Sequence, residues 1–164
     1  MEKYGLSGLL SYMLFYSVQM KKLLLTTYVL LGLIFITQAQ KTHTIGEKFE
    51  DGIVFDITPD GLHGLIAKTQ DQGMCNWNEA RALIAKLAKK RAAVRESNGW
   101  RLPKKDELDK LFERRQIVGG FTGNRYWSAT ENGKDLAWNQ IFASGAMAAN
   151  RKVFSMYVRA VRKF

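Results

Sequence analysis

Cysteine occurs once in the 164 residues, at Cys75. A single thiol forms no intrachain disulfide and cannot supply a Cys₂ or Cys₄ zinc site; Cys75 reads as a small buried apolar residue. Histidine occurs twice, as His43 and His63. Neither has a serine or cysteine partner in a recognisable motif, so triad-type nucleophilic catalysis is not indicated. No Gly-rich phosphate loop is present, and Gly119-Gly120 reads as a helix stop. Internal repeats and low-complexity linkers are missing too. Acidic residues are in deficit: 25 Lys and Arg face 15 Asp and Glu, a formal charge of +10. Such an excess attracts polyanions (nucleic acid, acidic glycans or anionic lipid), against the plainer reading that it serves solubility.

The chain also lacks an uninterrupted apolar run of the roughly 20 residues that a membrane span needs, because Lys21 and Lys22 break the N-terminal one. Met20-Lys21-Lys22 is instead a short basic start, and Leu23 to Ile36 an uncharged, mostly apolar stretch. Thr37-Gln38-Ala39 then places small residues at the −3 and −1 positions of a cleavage site before Gln40. This is the pattern of a secretory signal peptide over residues 20–39. Met20 is the expected initiator, with residues 1–19 an overextended reading frame. The rival reading is an uncleaved anchor through residues 23–37. No cysteine follows the apolar stretch, so a lipoprotein attachment is not indicated. The expected location lies across the inner membrane, in the periplasm, at the cell surface or outside the cell, with membrane contact only through the signal. Residues 1–39 carry three lysines and one glutamate, so their removal leaves a charge of +8. The basic character belongs to the mature part, which is long enough to bury a core.

Residues 40–50 read as an extended lead-in. Ile53, Phe55 and Ile57 alternate at strand period. Thr58-Pro59-Asp60-Gly61 is a strong turn, and Leu62 to Lys68 returns as the second arm of a hairpin. Asn76 caps a helix, with Glu79 three residues on as in a capping box. Trp77, Ala80, Ile84, Leu87 and Ala88 share its apolar face, and Arg81, Lys86, Lys89 and Lys90 lie opposite. Ser97-Asn98-Gly99 stops it. A second helix follows Pro103, with Leu108, Leu111 and Phe112 as its stripe, and ends at Gly119-Gly120. Beyond lie strands at 126–129 and 136–143, turns at Gly145 and Asn150, and strands at 153–157 and 158–161, read as one bent strand. The first and last strands are expected to pair. The expected class is α+β: an N-terminal β-hairpin, two α-helices and a C-terminal antiparallel sheet.

The ordered runs Gly52-Ile53-Val54-Phe55, His63-Gly64-Leu65-Ile66, Trp77-Asn78-Glu79-Ala80, Gly99-Trp100-Arg101-Leu102-Pro103, Glu107-Leu108, Tyr126-Trp127-Ser128-Ala129-Thr130 and Val158-Arg159-Ala160-Val161-Arg162 resemble the Lcl C-terminal domain family. These secreted bacterial modules are similar to the Fibrobacter succinogenes major paralogous domains. The resemblance covers residues 51–164 and implies a C-type lectin-like fold. The Arg-Leu-Pro helix start and the closing Arg-containing strand also resemble formylglycine-generating enzymes, whose chemistry needs paired cysteines that this chain lacks. Where family members often place a capping Thr, this chain has Lys104.

The fold itself hosts sugar binders, receptors and enzymes, so function must be read from residues. Calcium-dependent sugar binding in such folds uses Glu-Pro-Asn or Gln-Pro-Asp followed by Trp-Asn-Asp. The nearest run here is Trp138-Asn139-Gln140, with Gln in place of the charged ligand. Glu131 and Asp135 lie nearby but read as solvated. No metal, cofactor or catalytic residue is expected. The candidate ligand-binding residues are Trp138, Asn139, Gln140, Arg151 and Lys152; the candidate polyanion patch is Lys89, Lys90, Lys104 and Lys105. Trp77, Trp100, Arg101, Pro103, Trp127 and Arg159 read as scaffold, the two arginines as tethers to carbonyls or carboxylates. The expected function is a secreted, non-enzymatic adhesion module for acidic polysaccharide, matching the resemblance, whose namesake is associated with sulfated glycosaminoglycans. The alternative is a structural or protein-interaction module of a surface or periplasmic assembly, including a retroelement-diversified binder. Nucleic acid is not an expected partner of a secreted domain.

Overall fold

The computed structural model describes residues 5–36, 41–91 and 99–164, in two units, Met1–Lys41 and Thr42–Phe164. Among its described residues the first unit holds one helix, α1 (Leu6–Ile36). It runs through Met20 without a break, and Leu9, Leu14, Leu25 and Tyr28 on it are exposed. Among the described residues no helix is long and apolar enough to cross a membrane. The expected cleavage segment, residues 37–40, lies outside the described residues.

The second unit is an α+β fold built on two sheets. β1 (Lys48–Phe49), β2 (Gly52–Ile57), β3 (Gly64–Ala67) and β9 (Val161–Lys163) form a four-stranded antiparallel sheet in that order. β4 (Gly73–Cys75), β8 (Met156–Val158), β5 (Arg125–Glu131), β6 (Leu136–Ile141) and β7 (Met147–Arg151) form the five-stranded sheet. Its pairings are antiparallel except β5 with β8, which run parallel at Tyr126 and Tyr157. α2 (Trp77–Arg91), α3 (Lys105–Glu113) and the one-turn α4 (Arg115–Val118) complete the unit.

Local chemistry explains the helix starts. The Asn76 side chain accepts the Glu79 N–H at 3.0 Å, and the Glu79 carboxylate accepts the Asn76 N–H at 3.1 Å, a reciprocal capping box. Trp77, Ala80 and Ile84 of α2 join Val54, Ile66, Trp100 and Trp127 in one apolar cluster. Leu108 and Leu111 of α3 join Phe55, Tyr126, Phe142 and Val161 in another. Each of those two leucines is fully buried, which stabilises the fold by roughly 1.5–3 kcal/mol apiece.

Several expectations need correction. The C-terminal residues do not form one bent strand: β8 and β9 belong to different sheets, and the chain crosses between them at Arg159-Ala160. Both apolar clusters draw on strands of the two sheets, so the core lies where the sheets and helices meet. The last strand pairs with β3, the second arm of the hairpin, and not with the first. Asn150 is not a turn but a β7 residue paired with Ala137; its small neighbours Ala148 and Ala149 carry too little strand signal. The helix after Pro103 breaks at Arg114, so α4 is separate. β1 and β4, of two and three residues, are too short to show a period. The expected stop of α2 at residues 97–99 lies mostly outside the described residues.

Candidate functional site: a basic and aromatic patch

The Trp-Arg-Leu-Pro corner positions the start of α3. Arg101 lays its guanidinium in a fork on Glu107, at 2.5 and 2.7 Å, and pairs by backbone with Val161 of β9. The buried Pro103 offers its carbonyl to the Ala129 N–H at 2.7 Å, tying the corner to β5. Burial pushes the Glu107 carboxyl up, but the Arg101 bonds and the Lys104 N–H outweigh it and hold the acid below its ordinary range.

Lys104 occupies the N-cap without offering a side-chain oxygen to the helix. Two other groups take over. The Glu107 carboxylate accepts the Lys104 N–H at 2.8 Å, and the Thr130 hydroxyl, from β5, accepts the Lys105 N–H at 2.9 Å. With the cap supplied from elsewhere, Lys104 stays exposed.

Next to it, the Lys105 ammonium sits 3.5 Å from the centre of the Trp138 ring, a cation–π contact. Trp138 lies on β6, half-buried, and is paired with Ala149 of β7. Arg151 is directly across from Leu136, two residues before Trp138, so strand alternation puts Arg151 and Trp138 on one face. Arg151 is exposed. The structure therefore brings together Lys104, Lys105, Trp138 and Arg151, from two of the sequence-derived sets, on one side of the β6–β7 hairpin.

The other candidates separate from them. Asn139 and Gln140 are fully buried. Asn139 accepts from Arg125 at 3.0 Å and donates to the Ala148 carbonyl at 3.0 Å. Gln140 donates to Asp109 at 2.7 Å and to the Gly145 carbonyl at 3.1 Å. Both serve the scaffold, and neither is presented to an outside ligand. Lys152 turns to the opposite face, where its ammonium holds Glu131 at 2.5 Å and the Lys134 carbonyl at 2.7 Å and lies 4.7 Å from the Trp77 ring centre. The bond from Lys152, against a slight desolvation, keeps the Glu131 carboxyl below its usual range. Lys89 and Lys90 belong to α2, but their side chains are outside the described residues. Among the described residues, no three His, Cys, Asp or Glu side chains gather as a metal site would require.

Apart from the half-buried Arg101, the scaffold residues are interior. Trp77, Trp100 and Trp127 are buried; the indoles of Trp77 and Trp127 donate to the Ser128 and Cys75 carbonyls at 2.8 and 3.1 Å. Arg159 has no exposed surface. Its guanidinium bonds Asp71 at 2.9 Å and the carbonyls of Lys68, Gly119 and Gly120 at 2.7, 3.1 and 2.5 Å. Burial, with Glu79 nearby, pushes the Cys75 thiol up, so it stays protonated at neutral pH.

Sequence reading missed one feature entirely. A cleft of about 590 Å³ opens beside β5 and the segment after β7, lined among others by Met74, Arg125, Asn150 and Phe154. Its residues come from four distant stretches of chain, none with a local motif.

The architecture defines an α+β module with two sheets joined through a buried arginine, and a cationic, aromatic surface at the start of α3. The family model of the Lcl C-terminal domain matches residues 56–162, and the chain belongs to that family. No curated protein matches the chain.

Proposed function

We propose that this is a secreted, non-enzymatic binding module of C-type lectin-like fold, which takes acidic glycans without calcium through the patch of Lys104, Lys105, Trp138 and Arg151. The observation that carries the reading is the Lys105–Trp138 contact at 3.5 Å, flanked by exposed Lys104 and Arg151. Three cationic side chains and one indole on a single face suit a chain of sulfated or carboxylated sugars: the cations neutralise the substituents, and the indole offers flat apolar surface. The same site is poorly furnished for calcium. The nearby Glu131 is committed to Lys152, and Asn139 and Gln140 are buried with internal partners. A signal peptide at residues 20–39, with Met20 as initiator, brings the module to where such glycans occur. The purified protein is expected to bind a heparin column in EDTA, to elute above physiological salt, and to elute earlier as the triple variant K104A/K105A/R151A. Elution of the parent below physiological salt, or at the same salt as the variant, would overturn the reading.

A further inference from the structure

The cleft of about 590 Å³ is a second site, distinct from the glycan patch. Asn150 lines it, and Asn150 precedes Arg151 in β7, so the two side chains point to opposite faces of the hairpin. Its wall combines Met74, Phe154 and Tyr157 with Asn124, Arg125 and Asn150.

Two features of this wall stand out. The first is where the folded unit leaves large apolar side chains in water. Among its described residues these are Met74, Ile117, Val153 and Phe154, with exposures of 59%, 48%, 68% and 49%. Met74 and Phe154 line the cleft, and Val153 is the chain neighbour of Phe154; only Ile117 lies elsewhere. Isolated exposed apolar residues are ordinary, but clustering around one concavity marks a place for a partner. The residue types also fit: Met, Phe, Tyr and Arg are the side chains enriched where proteins bind proteins.

The second feature is Arg125. Its described polar partner is the neutral Asn139 side chain, at 3.0 Å through one guanidinium nitrogen. No carboxylate lines the cleft, and none is ion-paired with Arg125 among the described residues. Asn139, fully buried, holds one edge of the guanidinium in place. The rest of the fork remains for an anionic ligand group, beside apolar surface that strengthens the interaction.

We propose that this cleft docks a protein segment carrying a large apolar side chain next to an aspartate or glutamate. The apolar side chain sits against Met74 and Phe154, and its neighbouring carboxylate takes the open nitrogens of Arg125. Asn124 and Asn150 are placed to bond the backbone of the bound segment. A glycan is the weaker fit, because it would leave Met74 and Phe154 without apolar contact.

The test is selection of a random dodecapeptide display library on the full chain, followed by titration of a synthetic peptide of the selected sequence. The expected consensus pairs an apolar residue with an adjacent Asp or Glu. R125Q and, independently, F154S should each weaken that peptide at least tenfold, while heparin retention stays as in the parent and both variants remain folded by circular dichroism. Changing the peptide's acidic residue to its amide should weaken binding to the parent but not to R125Q. A consensus without an acidic residue, equal binding to the parent and both variants, or no enriched peptide at all would overturn the proposal. Loss of heparin retention in R125Q would instead place the glycan in this cleft and overturn it as well.

Discussion

Replacing Arg159 by methionine should be among the most damaging single changes in the folded unit, and its cost follows from the contacts. The methionine keeps much of the apolar stem but removes a fully buried guanidinium that bonds Asp71 and three carbonyls. Asp71 retains the Tyr126 hydroxyl at 2.8 Å, so its charge is only partly compensated. Removing one member of a buried pair typically costs about 3–5 kcal/mol. For a unit of this size 1 kcal/mol is worth about 3–5 °C in melting temperature, so a drop of roughly 10–20 °C is expected. The assay is urea and thermal unfolding followed by tryptophan fluorescence. A cycle with D71N isolates the pair: R159M/D71N should be less destabilised than the two single changes summed, by about 1–3 kcal/mol. If R159M unfolds within 1 kcal/mol of the parent, or the two changes simply add, Arg159 does not hold the two sheets together as argued.

Three further outcomes follow from the same structure. G120A should cost at least about twice as much as G133A: both glycines have positive φ, but a Cβ at 120 would meet the Thr69 carbonyl oxygen at 2.1 Å, whereas one at 133 meets nothing within 4 Å. With strain alone worth about 1–2 kcal/mol, urea midpoints should separate the two variants. Glu107 titrates below its ordinary value in the folded chain, so its ionised form contributes stability above the unfolded value of about 4.3 and loses it as pH falls through the lower folded value. The stability advantage of the parent over E107Q, read from melting temperatures, should therefore be full near pH 7 and shrink below about pH 4.3. K105A should weaken heparin binding by about 2–5-fold, the range of one surface ion pair, and W138A by a similar factor, with 1 mM calcium and EDTA indistinguishable in affinity measurements.

The sequence made legible whatever a short window can encode. The Asn76–Glu79 capping box, the Pro59-Asp60-Gly61 turn of the hairpin and the apolar stripe of α3 all rest on spacings of two to four residues. What it hid depends on long-range pairing. Thr130 replaces the missing cap on α3 from 25 residues away, and no local pattern announces that. Val158-Arg159-Ala160-Val161 reads as continuous strand, because the crossing between sheets is set by the partners of Arg159 and not by a breaker residue. The site was half legible for the same reason. Trp138, Arg151 and the lysine pair were visible as types, but Asn139 and Gln140 point to opposite faces of β6 and are each covered there, Asn139 beside Arg125 and Gln140 under Asp109 of α3. The cleft around Arg125 had no signal, since its residues meet only once the five-stranded sheet has formed.

The most direct test of the binding account uses the indole N–H signals of the four tryptophans. Trp77, Trp100 and Trp127 are buried, and Trp138 alone is partly exposed, under Lys105. Titrating a heparin-derived oligosaccharide into ¹⁵N-labelled protein in EDTA should shift the Trp138 indole signal and the amides of Lys104, Lys105 and Arg151, leaving the other three indoles in place. A saturating titration that moves none of these, or that moves only residues lining the Arg125 cleft, would contradict the assignment of the glycan site.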